Sequence, residues 1–501
     1  MFSMIKLTCS NDRVTVLGEA SHQSGASVQD AQGRESGVCG SWNWDGSVFN
    51  LQTDRFGYLP FYYHHDPSDG TLRVSDNPLS IVSDMASPRL DPRALGFFCR
   101  SGFMLGDTTI YEGVKRAPAH SCIEWSAGSL TISPNQLSDP PDPPKSVEEA
   151  LDGWIERFRM AMKHRCRPDQ SYGMPLSAGR DSRMMLLELH ALGSNPSEVL
   201  TIGSRDNDDV RIARLIADRM SIPFHWARPA PGNWIDMQNE RHVKCGFEAL
   251  EHAWILPFWK TIARRHGAWY DGLGSGSVIR NSVNDSFALD LLRANRTEEW
   301  ARLFFSRTSA PSEEMVERVA RCSPLPLAPL DDVLDLLEVE LARHRDQPNP
   351  ITSFTFHNWG RRSISLNPFG LCRETRSIGV PFMDRELVEW TLSIPADWCF
   401  THDIQTMACQ RLYPEFSDVP FTLGARSNRN HRSGLARVLD RHRKKRFFHH
   451  QAPCFRTLFD ELTRGPSGSP DSFRAINLMM HLALVDKTLG TPTGIRHGWD
   501  S

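Results

Sequence analysis

The sequence predicts an α/β protein in two parts, a β-rich first part and a larger second part built on a parallel sheet. Three observations carry this. Residues 14–132 hold short alternating segments punctuated by Gly, Asp and Asn, residues 133–146 form a proline-rich break, and beyond the break strands alternate with amphipathic helices. With 501 residues, 40% of them apolar, the chain can build two or three cores, since a single core rarely grows beyond about 250–300 residues. The expected division is 1–132, a linker at 133–146, a second domain over 147–490 and a tail at 491–501.

In the first part, the runs Ser47 to Leu51, Tyr58 to His64 and Thr71 to Ser75 alternate apolar and polar residues as half-buried strands do. SPNQLSDPPDPPKS, from Ser133 to Ser146, has five prolines and can join neither a helix nor a central strand. From Val147 to Cys166 the period changes to that of a helix, with Ala150, Leu151, Trp154, Ile155, Phe158 and Met162 on one face. A strand ending at Leu176 follows, then the turn SAGRDS and a helix from Arg183 to Leu192 closed by Gly193. The pattern repeats with a strand over Glu198 to Ile202, a helix over Asp208 to Met220 and a strand over Ile222 to Ala227. Such alternation implies a parallel sheet with right-handed crossovers. The segments onward to about residue 490 read as mainly helical, and no repeat of fixed period occurs.

Composition narrows the function classes. A net charge of −3 on 57 basic and 60 acidic residues gives no field that would draw the chain to nucleic acid or an anionic membrane. The partners expected are small molecules or proteins. The eleven cysteines contain no CxxC pair, so reduced thiols are expected rather than a zinc site. Without a signal-like apolar start or a run of about 18–20 apolar residues, the expectation is a cytoplasmic protein.

The chemistry-bearing candidate is Leu176-Ser177-Ala178-Gly179-Arg180-Asp181-Ser182, at the carboxyl end of a parallel strand, where ligands of open sheets bind. Small residues let the backbone approach a pyrophosphate, and the amides opening the next helix face the anion. Asp181 would hold Mg²⁺. An ordinary N-capped turn satisfies the same pattern. Neither GxxxxGK[ST] nor GxGxxG after a strand is present. The turn resembles the PP-loop of ATP pyrophosphatases, usual form SGGxDS, with Ala178 in place of the second glycine.

Further stretches resemble the asparagine synthetase family. Thr201-Ile202-Gly203 with Asp208-Asp209 and Ala213 to Ala217 is similar to the family's second strand and helix, which places Ile202 against adenine. Tyr270-Asp271-Gly272-Leu273-Gly274-Ser275-Gly276 stands where the family has SGEGADE. Val380-Pro381-Phe382-Met383-Asp384-Arg385-Glu386-Leu387-Val388-Glu389 is similar to the family's PFLDRELVE. In the first part, Thr53-Asp54-Arg55-Phe56-Gly57-Tyr58-Leu59-Pro60-Phe61-Tyr62-Tyr63 resembles RDRFGVKPLYY. Gly40-Ser41-Trp42 to Trp44-Asp45 resembles GxFAFxxWD.

The resemblance implies an N-terminal-nucleophile hydrolase-like αββα sandwich followed by a PP-loop ATP pyrophosphatase domain, with ATP and Mg²⁺ as cofactors. Glutamine-using members need Cys as first residue, whose thiol attacks while the α-amine acts as base. Position 2 is Phe, a start at Met4 would expose Ile5, and Cys9 would need eight residues trimmed. A degenerate, non-hydrolysing amidotransferase domain is therefore expected.

The implied cofactor-binding set is Leu176, Ser177, Ala178, Gly179, Asp181, Ser182, Ile202, Asp271 and Gly272. Asp181 and Asp271 are the metal candidates, Asp271 substituting for the family's acid where Gly276 stands. The candidate catalytic residues are Glu374 and Arg376, displaced by two from the family's EAR, and Arg426, in a region without the family's Lys. The run Arg426 to Arg446, basic from Arg437 onward, is read first as a solvated helix, anchored by Phe447-Phe448 and His449-His450.

The function expected is an ATP-dependent, AMP-forming ligase that adenylates a small-molecule or peptide carboxylate and couples it to an amine. Intramolecular cyclisation is the expected form, as in β-lactam synthetases and lasso-peptide cyclases, where a precursor peptide and its processing partner would take part. The alternatives are ammonia-dependent amidation of a small acid and an inactive nucleotide-binding scaffold. A tRNA-modifying PP-loop enzyme is disfavoured by the first part.

Overall fold

The structure is a computed structural model, and it describes residues 2–10, 13–26, 28, 36–133, 141–166, 170–203, 206–228, 234–250, 255–275, 285–308, 310–371, 377–421, 434–464 and 469–490. It is mixed α/β, and among the described residues two antiparallel sheets precede residue 134 and one parallel sheet follows residue 146. The first sheet has the order β2-β1-β7-β6-β8. It is built from β1 (Met4–Ser10), β2 (Arg13–Gly18), β6 (Tyr62–Asp66), β7 (Thr71–Ser75) and β8 (Lys115–Arg116). The second has the order β10-β9-β5-β4-β3, from β3 (Ser21–Ala26), β4 (Val38–Trp44), β5 (Phe49–Gln52), β9 (Cys122–Ser126) and β10 (Ser129–Ile132).

Register explains their shared core. Ile5 pairs with Val74 and Leu7 with Leu72 in the first sheet, while Phe49 pairs with Trp125 and Leu51 with Ile123 in the second. The two-residue period puts each set on one face, and the two faces merge with Trp42 and Phe61 into one cluster. Helices α1 (Pro78–Asp84) and α2 (Pro92–Ser101), each opening on proline behind a capping Asn77 or Asp91, pack on the first sheet's side around Tyr62.

One expected strand is partly replaced by a loop. Alternation predicts a strand from Tyr58, yet β6 begins at Tyr62. The buried Asp54 carboxylate accepts from the amides of Phe56 at 3.2 Å, Tyr58 at 2.9 Å and Leu59 at 2.9 Å, and so takes those donors away from a ladder. Pro60 has no amide to give.

After the linker, α3 (Val147–Arg165) opens on Ser146, whose hydroxyl accepts from the Glu149 amide, and buries Ala150, Leu151, Trp154, Phe158 and Met162. The parallel sheet contains β11 (Gly173–Pro175), β12 (Glu198–Ile202), β13 (Phe224–Ala227), β14 (Ala268–Tyr270) and β15 (Ser377–Gly379), in the order β13-β12-β11-β14-β15. Between them run α4 (Arg180–Ala191), α5 (Asp208–Arg219), α6 (Trp234–Lys244) and α7 (Leu256–Arg265). The chain steps from β11 outward to β13 and then returns to β11's other side with β14. The order therefore reverses between β11 and β14.

The remainder to Gly490 is mainly helical, as its composition predicts. Phe447 and Phe448, buried at the end of the helix Gly434–His450, anchor the basic segment as expected. Lys444 lies 4.0 Å from the centre of the Trp234 ring. Among the described residues no helix is long and apolar enough to cross a membrane, and every described cysteine is free.

The two parts are knit by the stretches that carried the resemblance. Arg55 pairs with Glu389 at 3.0 Å, so the Asp54 loop of the first part meets the Asp384 helix of the second. Asp384 caps that helix (Arg385–Ser393) and also binds Arg165 at 2.8 Å and the Ser36 hydroxyl at 2.7 Å. Phe56 and Tyr58 both meet Phe356 edge to face or tilted into the same aromatic group. Phe356 opens a π-helix, Phe356–Ile364, whose consecutive Arg361 and Arg362 both reach the first part.

Candidate functional site

The turn after β11 sits at the reversal of strand order, where an open parallel sheet leaves a crevice beyond its carboxyl ends. Leu176 continues the ladder, its amide donating to Leu200 at 2.8 Å and its carbonyl accepting from the Thr201 hydroxyl at 2.6 Å. The next three amides are held inside the protein. Ser177 donates to the Ser182 hydroxyl at 3.1 Å, Ala178 to Asp209 Oδ1 at 3.2 Å, and Gly179 to the Ser177 hydroxyl at 3.1 Å. An anion thus already sits on the Ala178 amide, and it is the chain's own carboxylate.

Helix α4 starts earlier than its apolar period implies, at Arg180, because Gly179 serves as N-cap. Gly179 makes no side-chain cap, so the first-turn amides of Arg180, Asp181 and Ser182 have no side-chain acceptor among the described residues. The loop's outer side is braced. Buried Arg183 donates to the carbonyls of Val419 at 2.7 Å and Pro420 at 2.6 Å and stacks on Phe421. Arg180 pairs with Asp403 and reaches the Thr406 hydroxyl at 3.2 Å.

Across the crevice, Asp271 follows β14, its amide donating to Gly379 at 2.8 Å. The two strand ends come close at Gly272, where a Cβ would lie 3.0 Å from the Asp181 Cβ. Gly274 adopts φ +101°, a left-handed conformation that favours glycine. Asp181 Oδ1 accepts from the buried Ser275 hydroxyl at 2.9 Å and from buried Gln405 Nε2 at 2.6 Å. Asp271 Oδ1 accepts from the Leu273 amide at 2.8 Å. Each carboxylate therefore has one oxygen committed, and Oδ2 of each has no side-chain or amide partner among the described residues.

Their protonation reflects this crowding. Burial raises the Asp181 carboxyl above the usual range, with Gln405 and Ser275 working against it. Burial pushes Asp271 up to about 7, the Leu273 amide opposes the rise and the neighbouring Asp181 adds to it. Two neighbouring carboxylates, one raising the other and each with an uncommitted oxygen, could hold a divalent cation. Among the described residues no group of three or more His, Cys, Asp or Glu is placed to hold a metal ion. That donor set fits Mg²⁺, which takes one or two carboxylates and completes its shell with phosphate and water.

Ile202 lies on β12, one strand over from the loop, a spacing of about 4.8 Å between strands. It lines a cavity of about 230 Å³ with Ala227, Pro257 and Phe258 as apolar walls and Arg228, Lys260 and Arg264 as cationic ones. Glu374, Arg376 and Arg426 lie outside the described residues, as does Gly276. No family model and no curated protein matches this chain. The site's reading therefore depends on its own geometry.

Three contributors escaped the sequence reading. Ser275 stood inside the glycine-rich stretch but carried no role there. Asp209 was noted only as one of an acidic pair. Gln405, 224 residues from Asp181, carries no local signal at all.

Two outcomes follow. An acid bound more tightly by its proton when folded than when unfolded makes the cation-free protein lose stability as pH rises from about 4 to about 7. Thermal unfolding in chelator should show this slope, Asp271→Asn should flatten it, and Mg²⁺ should reverse it by displacing the proton. Gly272→Ala places its methyl against the Asp181 Cβ rather than a flexible side-chain end. It is expected to cost about 1–3 kcal/mol, read as a lower urea midpoint.

Proposed function

We propose that this chain is an ATP-dependent ligase that activates a carboxylate as an acyl-adenylate and couples it to an amine, without hydrolysing glutamine. The observation that carries the reading is the meeting of Asp181 and Asp271, each with a free oxygen, at the reversal of strand order. The two residues come from separate motifs, and the pairing of β11 with β14 brings their turns to one crevice.

In this reading a carboxylate oxygen of the substrate attacks the α-phosphorus of ATP, the bond to the β-phosphate oxygen breaks, and pyrophosphate leaves. The amine nitrogen then attacks the acyl carbon, the bond to AMP breaks, and the amine's proton passes to solvent or base. The amides opening α4 would receive phosphate oxygens, aided by the helix dipole. Asp209 would yield the Ala178 amide or remain as its outer partner. Asp181 and Asp271 would hold Mg²⁺, which when bound offsets the charge of the phosphates. The cavity at Ile202 would take the adenosine side.

The first part is read as an amidotransferase-like domain kept as scaffold. Two antiparallel sheets that share one core support that. A substrate carrying its own amine then suits the site, because an intramolecular amine needs no second binding event.

The test is pyrophosphate release from ATP and Mg²⁺ across a panel of carboxylates, including peptides bearing Asp or Glu near an N-terminal amine. Release that depends on one of them is the expected result and names the substrate class. ATP binding without release under any condition would overturn the ligase reading in favour of a nucleotide-binding scaffold.

A further inference from the structure

Building on the cation reading above, we infer that Gln405 is a positioning residue, which together with Ser275 locks Asp181 in the orientation that presents Oδ2 to the cation. The geometry is specific. Both donors meet the same oxygen, Oδ1, at 2.6 Å from Gln405 Nε2 and 2.9 Å from the Ser275 hydroxyl. A carboxylate held by two donors on one oxygen has its side-chain torsions fixed, and its second oxygen is left for another ligand.

Gln405 is itself held. It sits 2% exposed in the first turn of the helix Ile404–Leu412, whose cap, Asp403, pairs with Arg180 of the loop. Thr406, the next residue, accepts from the same Arg180 at 3.2 Å. The cap and two first-turn residues of one helix therefore bracket the start of α4, Asp403 and Thr406 through the guanidinium and Gln405 through the carboxylate. Ser275 comes from the opposite side, four residues beyond Asp271, and is 1% exposed. The two donors thus arrive from separate elements and converge on one atom.

A purely packing role for Gln405 would need its amide to satisfy neighbouring backbone, and its Nε2 instead goes to the carboxylate. Burying a primary amide costs free energy unless it is hydrogen-bonded, so its partner defines its role. Outer donors of this kind typically carry about 10–100-fold in metal affinity.

The experiment uses the full-length protein and Mn²⁺ as probe, with bound ion read from loss of the free-ion paramagnetic resonance signal, in the absence and presence of ATP. Wild type should bind, Asp181→Asn should lose the site, and Gln405→Ala should weaken Mn²⁺ by about 10–100-fold. Saturating Mn²⁺ should restore pyrophosphate release in that variant, because order of the ligand is lost and not its charge. Circular dichroism checks that Gln405→Ala is folded; if it is not, Ser275→Ala, a change of one hydroxyl, decides instead. Wild-type Mn²⁺ affinity in both variants, with Asp181→Asn still inactive toward the ion, would overturn the positioning role and leave the cation site standing. Failure of the wild type to bind Mn²⁺ with or without ATP would overturn both.

Discussion

Asp181→Asn is expected to reduce substrate-dependent pyrophosphate release by roughly 10²–10³-fold, the range for loss of one preorganised electrostatic group, while leaving the protein as stable as wild type or more so. The two halves of this expectation have opposite signs, and that makes it informative. Asparagine keeps an oxygen that can accept from Ser275 and Gln405, so the packing around position 181 survives. It removes a charge that burial and the neighbouring Asp403 disfavour and that in turn raises Asp271, so the cation-free protein gains stability near neutral pH. Gln405, Ser275 and Arg180 favour that charge, but burial outweighs them. Loss of turnover together with a raised unfolding midpoint is the signature of a group retained for function at a cost in stability. Unchanged turnover would remove Asp181 from the chemistry, and with it the reading of the turn as a nucleotide loop.

Glu248→Gln is expected to destabilise the protein by about 3–5 kcal/mol, the usual consequence of leaving one member of a buried ion pair without its counter-charge. Glu248 and Arg362 are both fully buried and meet at 2.9 Å. Tyr62 of the first sheet also donates to Glu248, and Arg362 donates to the carbonyls of Gly106 and Thr108, so the pair ties two segments of the first part to two of the second. Glutamine can still accept from Tyr62, but it leaves the guanidinium uncompensated. Arg362→Met should be comparably harmful, and the double variant should recover part of the loss, because the pair's interaction is counted twice in the single changes. Urea midpoints of the four proteins check this. Near-additive losses would mean that the charges are compensated elsewhere.

The contrast between these two experiments follows a division visible along the chain. The elements were largely legible. The strand Glu198–Ile202 and the start of the helix at Asp208 stand where periodicity and the acidic first turn place them, and Val147–Arg165 differs by a residue at its end. These are local matters of burial period and capping. The strand begins at Tyr62 and not at Tyr58, because alternation alone does not reveal that Asp54 takes three amides out of the ladder. Similarly, α4 begins before its apolar stripe because an uncapped glycine can open a helix with polar residues still to come.

For the site, the sequence by itself determined which residue types could carry the chemistry: a small-residue turn with Asp181 after one strand and a glycine-rich turn with Asp271 after another. Only the tertiary structure decided that these turns face each other, since strand order depends on which strand edges pair and the two lie far apart in the chain. It also decided that Gln405 and Ser275 hold one oxygen of Asp181, and that Arg55 meets Glu389 across the two parts. A hydrogen bond between residues hundreds apart leaves no period or spacing in the sequence, because its partners are chosen by the packing of whole elements and not by their neighbours along the backbone.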